Sequence, residues 1–391
     1  MSFLKNTVPI IVQKVAKHSY WVESILTGLR KSAEKSFYEL DFIAGADSAV
    51  NAKESEHSSV IVIGYLADWL CQTLDRLLEK GYEPIVVNAG VSDEMLEKCS
   101  GVFFRLGESI ESTIEYLKSA GRKNIWLFGT NNTSIANRIK EDVFLKVTGS
   151  ENEPPHEFVI NEKKPLNDHV EDFLNCIEEQ EIDAIICQND TLAIHLMNRM
   201  LTEGFKIPDD IYIVGMGNSL LGQKMAIPLS SIEFDYEELG VQAFSLWRYL
   251  QRSGKRVHVE VAIPCRFIPR ASTGSFIQLE ASRTRFFTSI PFDLNTEING
   301  DEFYDDVDVQ KVLKFEAFLR SCDKIDNYVL EGIVQGYSDA RMADMYNISD
   351  RAIRYRINKM TKKLDVQARD EIVSIIKDLR MFSDYIDKSD V

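Results

Sequence analysis

Residues 182–217 read IDAIICQNDTLAIHLMNRMLTEGFKIPDDIYIVGMG and set two short apolar runs on either side of a segment with helical spacing. Neither run, Ile182–Gln188 or Ile211–Gly217, alternates apolar with polar residues, which is typical of strands buried on both faces of a sheet. The segment between them favours a helix that ends near Gly204. A strand, a helix and a second strand in this order predict a parallel β-α-β unit.

The same alternation extends in both directions, from about Pro9 to Arg270. Further apolar runs predict strands at Pro9–Val12, Ser58–Tyr65, Tyr82–Ala89, Gly101–Leu106 and Asn124–Gly129. Segments with helical spacing separate them, the first from Ser19 to about Lys35. About eight strands over some 260 residues are more than one compact sheet usually needs. We therefore expect two α/β lobes.

Composition limits the class of protein. The chain of 391 residues is too long for one ordinary core, and its 45% hydrophobic and 27% charged residues are typical of a soluble globular protein. No segment approaches the roughly 18 apolar residues of a membrane span, and the start of the chain lacks the features of a secretory signal. The six cysteines are scattered singly, without metal-ligand spacing, and predict reduced thiols. We expect a cytoplasmic protein without metal, cofactor or membrane partner.

The character of the sequence changes after Gly274. Between Asp293 and Asp308 seven acidic residues occur without a lysine or arginine, which indicates a solvated linker. Beyond it the pattern is helical only. We therefore predict an α/β region at 1–274, an acidic linker at 275–308 and a helical domain at 309–391.

The helical domain contains a basic island although the whole chain carries a formal charge of −16. Spacing predicts helices at about Lys324–Gln335, Asp339–Tyr346, Asp350–Leu364 and about Gln367–Leu379, with Ser338 and Ser349 as N-caps. In the third helix one stripe is apolar, namely Ile353, Ile357, Met360 and Leu364. The opposite face carries basic and polar side chains, namely Arg351, Arg354, Tyr355, Asn358 and Lys362.

Two helices joined by a tight turn, the second with such a face, predict a helix-turn-helix. The alternative is a solvated basic face on an ordinary helical bundle. We favour DNA binding because the positive charge concentrates on the helix just after the turn.

The stretch VLEGIVQGYSDARMADMYNISDRAIRYRINKMTKKLDVQAR (329–369) resembles the DNA-binding domain of LuxR-type regulators. Matching positions run through the whole stretch, namely Val329-Leu330, Gly336, Ser338, Met342-Ala343, Ile348-Ser349, Ala352-Ile353, Lys363-Leu364, Val366 and Arg369. Ala352, Tyr346 and Arg356 depart from the pattern, and AIRYRI also resembles a segment of another bacterial helix-turn-helix class. The resemblance implies base or nearby backbone contacts by Arg351, Arg354, Tyr355 and Asn358, and phosphate contacts mostly by Lys359, Lys362 and Lys363.

The run from Ile182 to Gly240 resembles the effector-binding core of the lactose-repressor family, and the resemblance extends from about Pro9 to Gly274. Asn189-Asp190, Pro208-Asp209 and Pro228-Leu229 are its markers. It implies a type I periplasmic-binding-protein-like fold, which consists of two doubly wound lobes with a small ligand in the cleft. That family usually carries its DNA-binding headpiece before the core, so we expect the C-terminal helices to replace it.

The resemblance also implies ligand contacts. Asn189, Arg138 and Tyr236 match effector-binding positions, and Tyr20 and Trp21 stand where aromatic residues of the first helix line the cleft. Alternatively, Asp190 caps a helix, Trp21 belongs to the core, and Arg138 is a surface residue.

Two departures bear on the class of ligand. Gly217-Asn218 stands where sugar-binding relatives often carry an Asp, and Arg105 replaces another Asp. A neutral sugar, an anionic sugar derivative and a ligand-free scaffold therefore all stay open, and Arg105 favours an anion.

Other function classes fit less well. No GxSxG, P-loop, strand-linked GxGxxG or paired carboxylates indicate an enzyme. A cytoplasmic solute-binding protein, or a scaffold without ligand response, would share the fold but would not need the helix-turn-helix. We therefore expect a transcriptional regulator with DNA and a small molecule (a sugar or an anionic metabolite) as partners. We also expect a homodimer, since a two-fold protein doubles its contacts on a palindromic operator.

Overall fold

The computed structural model of the protein describes residues 6–14, 20–49, 59–130, 134–149, 156–160, 164–253, 257–274 and 306–382. Most of the predicted linker, 275–305, and the last residues of the predicted helical domain lie outside them.

The first sheet has six strands in the order β11-β5-β4-β3-β1-β2. Its strands are β1 (Asn6–Val12), β2 (Tyr38–Ile43), β3 (Ser59–Ile63), β4 (Glu83–Val87), β5 (Ser100–Phe104) and β11 (Glu260–Ile263). All neighbours pair in parallel, with Ile61 of β3 opposite Ile10 on one side and Ile85 on the other. All five residues of β3 are buried, which explains its unbroken apolar run.

The second sheet also has six strands, in the order β12-β10-β9-β8-β6-β7. Its strands are β6 (Ile125–Thr130), β7 (Glu157–Val159), β8 (Ala184–Cys187), β9 (Tyr212–Met216), β10 (Ser230–Glu233) and β12 (Arg266–Ile268). β8 and β9 come from the two apolar runs of residues 182–217 and pair in parallel, as the sequence predicts.

Nine helices can be assigned in the described part of the α/β region. They are α1 (Tyr20–Glu34), α2 (Ala67–Glu79), α3 (Asp93–Lys98), α4 (Leu106–Ser119), α5 (Ile135–Thr148), α6 (Leu166–Gln180), α7 (Asp190–Thr202), α8 (Leu220–Lys224) and α9 (Tyr236–Ser253). α1 and α9 cross closely at two glycines. A Cβ on Gly28 would lie 2.0 Å from the carbonyl oxygen of Glu237, and one on Gly240 would lie 1.9 Å from that of Ile25. Larger residues would push the two helices apart.

Within residues 306–382 five helices follow, namely α10 (Val307–Arg320), α11 (Lys324–Val334), α12 (Asp339–Tyr346), α13 (Asp350–Leu364) and α14 (Arg369–Asp378). α12 and α13 have their predicted bounds. The predicted apolar stripe of α13 is buried in full. A Cβ on Gly332 of α11 would lie 2.4 Å from the Sδ atom of Met342, so a larger residue there would displace the Met342 side chain between α11 and α12.

The end of the predicted linker needs a correction. Asp306 is the N-cap of α10, which already begins at Val307, and it accepts hydrogen bonds from the N–H groups of Asp308 and Val309. Asp306–Asp308 is therefore an ordered helix start and not a solvated linker. α10 itself was not placed by sequence reasoning.

The chain divides into two compact units. Among the described residues, the first unit contains those up to 160 and 233–267, and the second contains 164–232, 268–274 and 306–382. The five C-terminal helices thus belong to the second unit. No helix in the described ranges is both long enough and apolar enough to cross a bilayer.

Candidate functional site

In the first unit, polar side chains follow the carboxyl ends of the parallel strands, which is where open α/β sheets bind ligands. Gln13 follows β1 and is buried, and its Oε1 accepts hydrogen bonds from the N–H groups of Tyr65 (2.9 Å) and Leu66 (3.3 Å). Asn88 follows β4 and is also buried, and its Oδ1 accepts from the N–H of Ala89 at 2.7 Å. The Nδ2 of Asn88 is buried without a hydrogen-bond partner among the described residues. A buried donor without a partner costs free energy, and a polar ligand that supplies an acceptor removes this cost.

Sequence reasoning missed Gln13 and Asn88. The available signal was their position, since each is the first polar residue after a buried apolar strand.

An aromatic cluster lies in the same unit and consists of Trp21, Tyr65, Phe104, Phe234 and Tyr236. The ring of Trp21 lies 6.4 Å from that of Tyr65 and 6.3 Å from that of Tyr236. Phe104 lies 5.3 Å from Tyr236 and stacks on Phe234 at 5.2 Å. The structure thus brings together two predicted ligand-binding residues, Trp21 and Tyr236. Both are half-buried, as is Tyr20 at the first position of α1.

Three cations of this unit bear on the class of ligand, namely Arg105, Arg138 and Lys140, and the first two were predicted as ligand contacts. Arg105 is exposed just before α4, where it forms an ion pair with Glu108 at 3.2 Å. Arg138 is exposed in the first turn of α5, as the alternative of a surface residue expects. Burial and the neighbouring Glu157 raise the pKa of Glu141 to about 7, while Arg138 lowers it.

The third cation, Lys140, was not predicted. It is buried, and its Nζ lies 5.9 Å from the centroid of the Phe234 ring. Cys265 is close to it: burial raises the pKa of this thiol to about 12, and a hydrogen bond with Ser109 and the charge of Lys140 lower it. A buried cation thus lies next to the aromatic cluster.

In the second unit, the residues after β8 form a hydrogen-bonded edge. Asn189 is the N-cap of α7, since its Oδ1 accepts from the N–H of Leu192 at 2.9 Å. The alternative that Asp190 is the cap is therefore wrong. Asp190 is 4% exposed and accepts from the hydroxyl of Ser231 at 2.7 Å and from the N–H of Ser219. Burial raises the pKa of Asp190, and these hydrogen bonds lower it in part.

The turn after β9 is fixed by the same network. A Cβ on Gly215 would lie 2.1 Å from the Oδ1 of Asp190, so only glycine fits there. Asn218 adopts a positive φ of 51°, and its N–H donates to the hydroxyl of Ser231 at 2.9 Å. Its Oδ1 accepts from the guanidinium of Arg270, which is itself 6% exposed. Asn218 thus stabilises the turn, at a position where sugar-binding relatives often carry an Asp.

Among the C-terminal helices, α13 carries an exposed polar face. Ser338 and Ser349 accept hydrogen bonds from the N–H groups of Arg341 and Ala352, both at 3.2 Å, so they are N-caps as predicted. Asn347 takes the left-handed conformation between α12 and α13, with φ 53°, and makes the turn. Beyond the buried stripe, α13 exposes five of the predicted DNA-binding residues, namely Arg351, Arg354, Tyr355, Asn358 and Lys362. The side chain of Tyr355 is 70% exposed.

The other two predicted DNA-binding residues, Lys359 and Lys363, are only partly exposed. The Nζ of Lys359 lies 3.0 Å from the carboxylate of Asp326, a residue of α11 that is 1% exposed. Arg356 pairs with the same carboxylate at 2.5 Å and with Asp323 at 2.8 Å. Lys359 is therefore neutralised within the protein, which does not fit the predicted phosphate contact. Lys363 is half-buried, and burial together with the charge of Lys359 lowers its pKa.

Comparison with known proteins agrees with this architecture. Residues 114–273 match the family of periplasmic binding protein-like domains. The HTH-type transcriptional repressor PurR of Vibrio campbellii is 37% identical over 68 residues, which are 17% of this chain and 20% of that protein. The HTH-type transcriptional regulator DegA of Bacillus subtilis is 26% identical over 162 residues, which are 41% of this chain and 48% of that protein. The chain thus spans less than half the length of each of these relatives.

A solved structure shows the fold. The lac repressor dimer bound to operator and the anti-inducer ONPF matches 70% of this chain and 95% of its own, with a TM-score of 0.56 and 16% identity. The two-sheet α/β part has the periplasmic-binding-protein-like fold, as predicted, and it is shared with regulators of the lactose-repressor family.

Proposed function

We propose that this chain is a DNA-binding transcriptional regulator. In this proposal the α/β part binds a small molecule, and α12 and α13 form a LuxR-like helix-turn-helix that binds operator DNA. The observation that carries the proposal is the exposed face of α13, where five basic or polar side chains stand opposite a fully buried apolar stripe. The names of the relatives, an HTH-type repressor and an HTH-type regulator, support the same class of function.

The charge distribution supports DNA as the partner. The chain is acidic, with a formal charge of −16, so most of its surface repels phosphate. Arg351, Arg354 and Lys362 form an exposed basic face on a helix that follows a tight turn, and helices in this position enter the major groove. Arginine and asparagine are side chains that read base edges there.

The first unit supports a sugar or an anionic sugar derivative as effector. The aromatic cluster can cover the apolar face of a sugar ring, and the buried Nδ2 of Asn88 can donate to a hydroxyl or an anionic oxygen. Lys140 and Arg105 favour an anionic group. In the second unit, Asn189 is a separate candidate for contact with an effector, since it is half-buried and directly follows β8. We further propose a cytoplasmic homodimer that binds a palindromic operator.

The test is a titration of DNA at several salt concentrations. An operator is selected from fragmented genomic DNA with the full chain, and its affinity is then measured for the wild type and for Arg351→Ala/Arg354→Ala. Loss of two base-reading side chains should weaken binding by at least about thirtyfold, since each such contact contributes about 1–3 kcal/mol.

A matched control is Lys35→Ala/Lys118→Ala, which removes two exposed charges from the first unit and should change the affinity by less than twofold. Unchanged affinity of the arginine variant would refute the DNA-binding assignment. For the effector, calorimetry with glucose, ribose, glucose 6-phosphate and ribose 5-phosphate separates neutral from anionic ligands, and no heat with any of them would count against this ligand class.

A further inference from the structure

Helix α10 joins the other C-terminal helices to the α/β part of the second unit. The carboxylate of Glu316 in α10 accepts hydrogen bonds from the N–H groups of Leu220 (2.9 Å) and Leu221 (2.7 Å), the first two residues of α8. Glu316 also forms an ion pair with Arg320 at 2.6 Å, and the two side chains are only 13% and 15% exposed. A charged acceptor at the positive end of a helix, shielded from water, is a strong contact.

The other end of α8 is held by residues that follow α14. The N–H of Ala226 donates to the carbonyl of Arg380 at 2.7 Å, and the N–H of Phe382 donates to the carbonyl of Lys224 at 2.9 Å. Met225 and Met381 form an antiparallel bridge between these two bonds. The five-residue helix α8 is therefore hydrogen-bonded at its start to α10 and at its end to residues 380–382.

A second set of contacts fixes the start of α10. Asp306 accepts from the N–H of Leu166, the first residue of α6, at 2.9 Å. Asp308 accepts from the side-chain amide of Asn167, whose Oδ1 lies 2.9 Å from the Nε2 of His195 in α7. α10 therefore rests on α6, α7 and α8 and cannot move independently of them without breaking these bonds.

The start of α8 is also the end of the hydrogen-bonded edge described above. Ser219, its N-cap, donates its N–H to Asp190, which is the neighbour of the candidate effector contact Asn189. Ser231 joins Asp190 to the N–H of Asn218 in the same turn. A continuous path thus runs from Asn189-Asp190 through Ser219 and α8 to Glu316.

We propose that α8 transmits the state of the effector site to the DNA-binding helices, with Glu316 as the contact that couples them. A ligand that changes the hydrogen bonding of Asn189 or of the turn 217–219 shifts the start of α8, and α10 and the segment 380–382 shift with it. This inference rests on the proposed function, because it assigns the regulation of the same site.

The experiment perturbs the edge directly and needs no effector. Ser231→Ala removes the hydroxyl that joins Asp190 to Asn218, and it is made in the full chain with and without Glu316→Ala. Amide hydrogen exchange is measured at 217–226 and 379–382, and DNA affinity is measured on the operator selected with the wild type.

The path predicts three results. Glu316→Ala alone should speed exchange at Leu220 and Leu221 at least tenfold, because their acceptor is gone. Ser231→Ala should speed exchange at both 217–226 and 379–382 at least fivefold and change DNA affinity at least fivefold. In the Glu316→Ala background the effect of Ser231→Ala on DNA affinity and on 379–382 should fall below twofold.

Lys314→Gln, a charge change on the same helix, is the matched control and should leave the effect of Ser231→Ala intact. Should Glu316→Ala fail to fold, Glu316→Gln keeps one acceptor oxygen and should reduce the coupling by about half. An equal effect of Ser231→Ala with and without Glu316, or no response at 379–382, would overturn the proposal. Failure of the wild type to select any DNA would refute the proposed function instead, and the exchange data would still decide the coupling.

Discussion

Two buried aspartates organise the two candidate binding regions of the second unit in opposite ways. Asp190, at the edge of the second sheet, accepts hydrogen bonds from neutral groups, among them the hydroxyl of Ser231 and the N–H of Ser219. Asp326, beneath the helix-turn-helix, is held by two cations, Arg356 and Lys359. Both are almost fully buried, at 4% and 1% exposure.

The difference shows what each carboxylate does. Burial raises the pKa of Asp190, because its neutral partners compensate the carboxylate charge only in part. The same carboxylate orders the turn by accepting a hydrogen bond from the N–H of Ser219. Asp326 instead ties α13 to α11 and, together with Asp323, offsets the positive charges of Arg356 and Lys359 on α13. One aspartate therefore shapes a polar edge, and the other lowers the net positive charge of α13.

The largest expected effect is that of Asp326→Ala. It leaves Lys359 without its acceptor and Arg356 with Asp323 alone, and it removes half of the capping box at the start of α11. Since Arg356 and Lys359 keep 20% and 36% of their side-chain surface in water, we expect a loss of about 2–3 kcal/mol rather than the larger cost of a fully buried orphan charge. Denaturant-dependent hydrogen exchange of 324–364 measures this region by itself.

The control is Glu331→Ala, which removes an exposed carboxylate from the same helix and should cost less than about 0.5 kcal/mol. Asp190→Asn should cost less than Asp326→Asn, because an amide oxygen can still accept from Ser231 whereas a neutral amide cannot balance two cations. The reverse order would remove the distinction between the two regions.

Acid should act on the two regions in opposite directions. The pKa of Asp190 is raised above 3.8, so its ionisation destabilises the fold, and this contribution to stability is present below pH 3.8 and lost as pH rises through the higher folded pKa. At Asp323 burial opposes ionisation, but the hydrogen bond from Arg356 prevails and the pKa is lowered. Its contribution is present above pH 3.8 and lost as pH falls through the lower folded pKa.

Hydrogen exchange from pH 3 to pH 6, corrected for intrinsic rates, should therefore show 324–364 loosening at the acid end more than 184–232. Asp323→Asn should reduce the pH dependence of exchange in 324–364, and Asp190→Asn should reduce it in 184–232. Parallel loosening of both segments in all variants would mean that neither carboxylate governs its region.

The order of elements and the helix-turn-helix could be predicted from sequence because their signals are local. Ser338 and Ser349 cap α12 and α13, and the left-handed Asn347 separates them, so both helices have the predicted bounds. The apolar runs at 182–188 and 211–217 similarly gave β8 and β9 within two residues at either end. The edge strands β2 and β7 were missed because half-exposed strands lack such runs.

The candidate sites could be predicted only in part, because their contacts join distant residues. Trp21 and Tyr236 were found through a family resemblance, whereas Tyr65, Phe104 and Lys140 join them only through the fold. α10 was not placed as a separate helix, although most of it lies in the region 309–391 that was predicted to be helical. Its buried stripe consists of Val309, Val312, Phe315, Phe318 and Leu319.

The smallest expected effect concerns Lys359 and Lys362, which sequence reasoning treated alike. Helical spacing places both away from the apolar stripe of α13, but the carboxylate of Asp326 reaches Lys359 from another helix. If α13 binds DNA as proposed, Lys362→Ala should lower the slope of log affinity against log salt by about 1, the contribution of one phosphate contact. Lys359→Ala should lower it by less than about 0.3, because its charge is already compensated.

The titration is made on one operator between 50 and 200 mM salt (roughly the range in which counterion release dominates), with hydrogen exchange to confirm that α11–α13 stay folded. Asp326→Asn supplies the decisive third variant. It frees Lys359 and leaves Arg356 with Asp323 alone, so the slope should become steeper. Adding Lys359→Ala to it should now have the effect that Lys362→Ala has in the wild type. Equal slopes for the two single lysine variants would show that Asp326 does not withhold Lys359 from DNA.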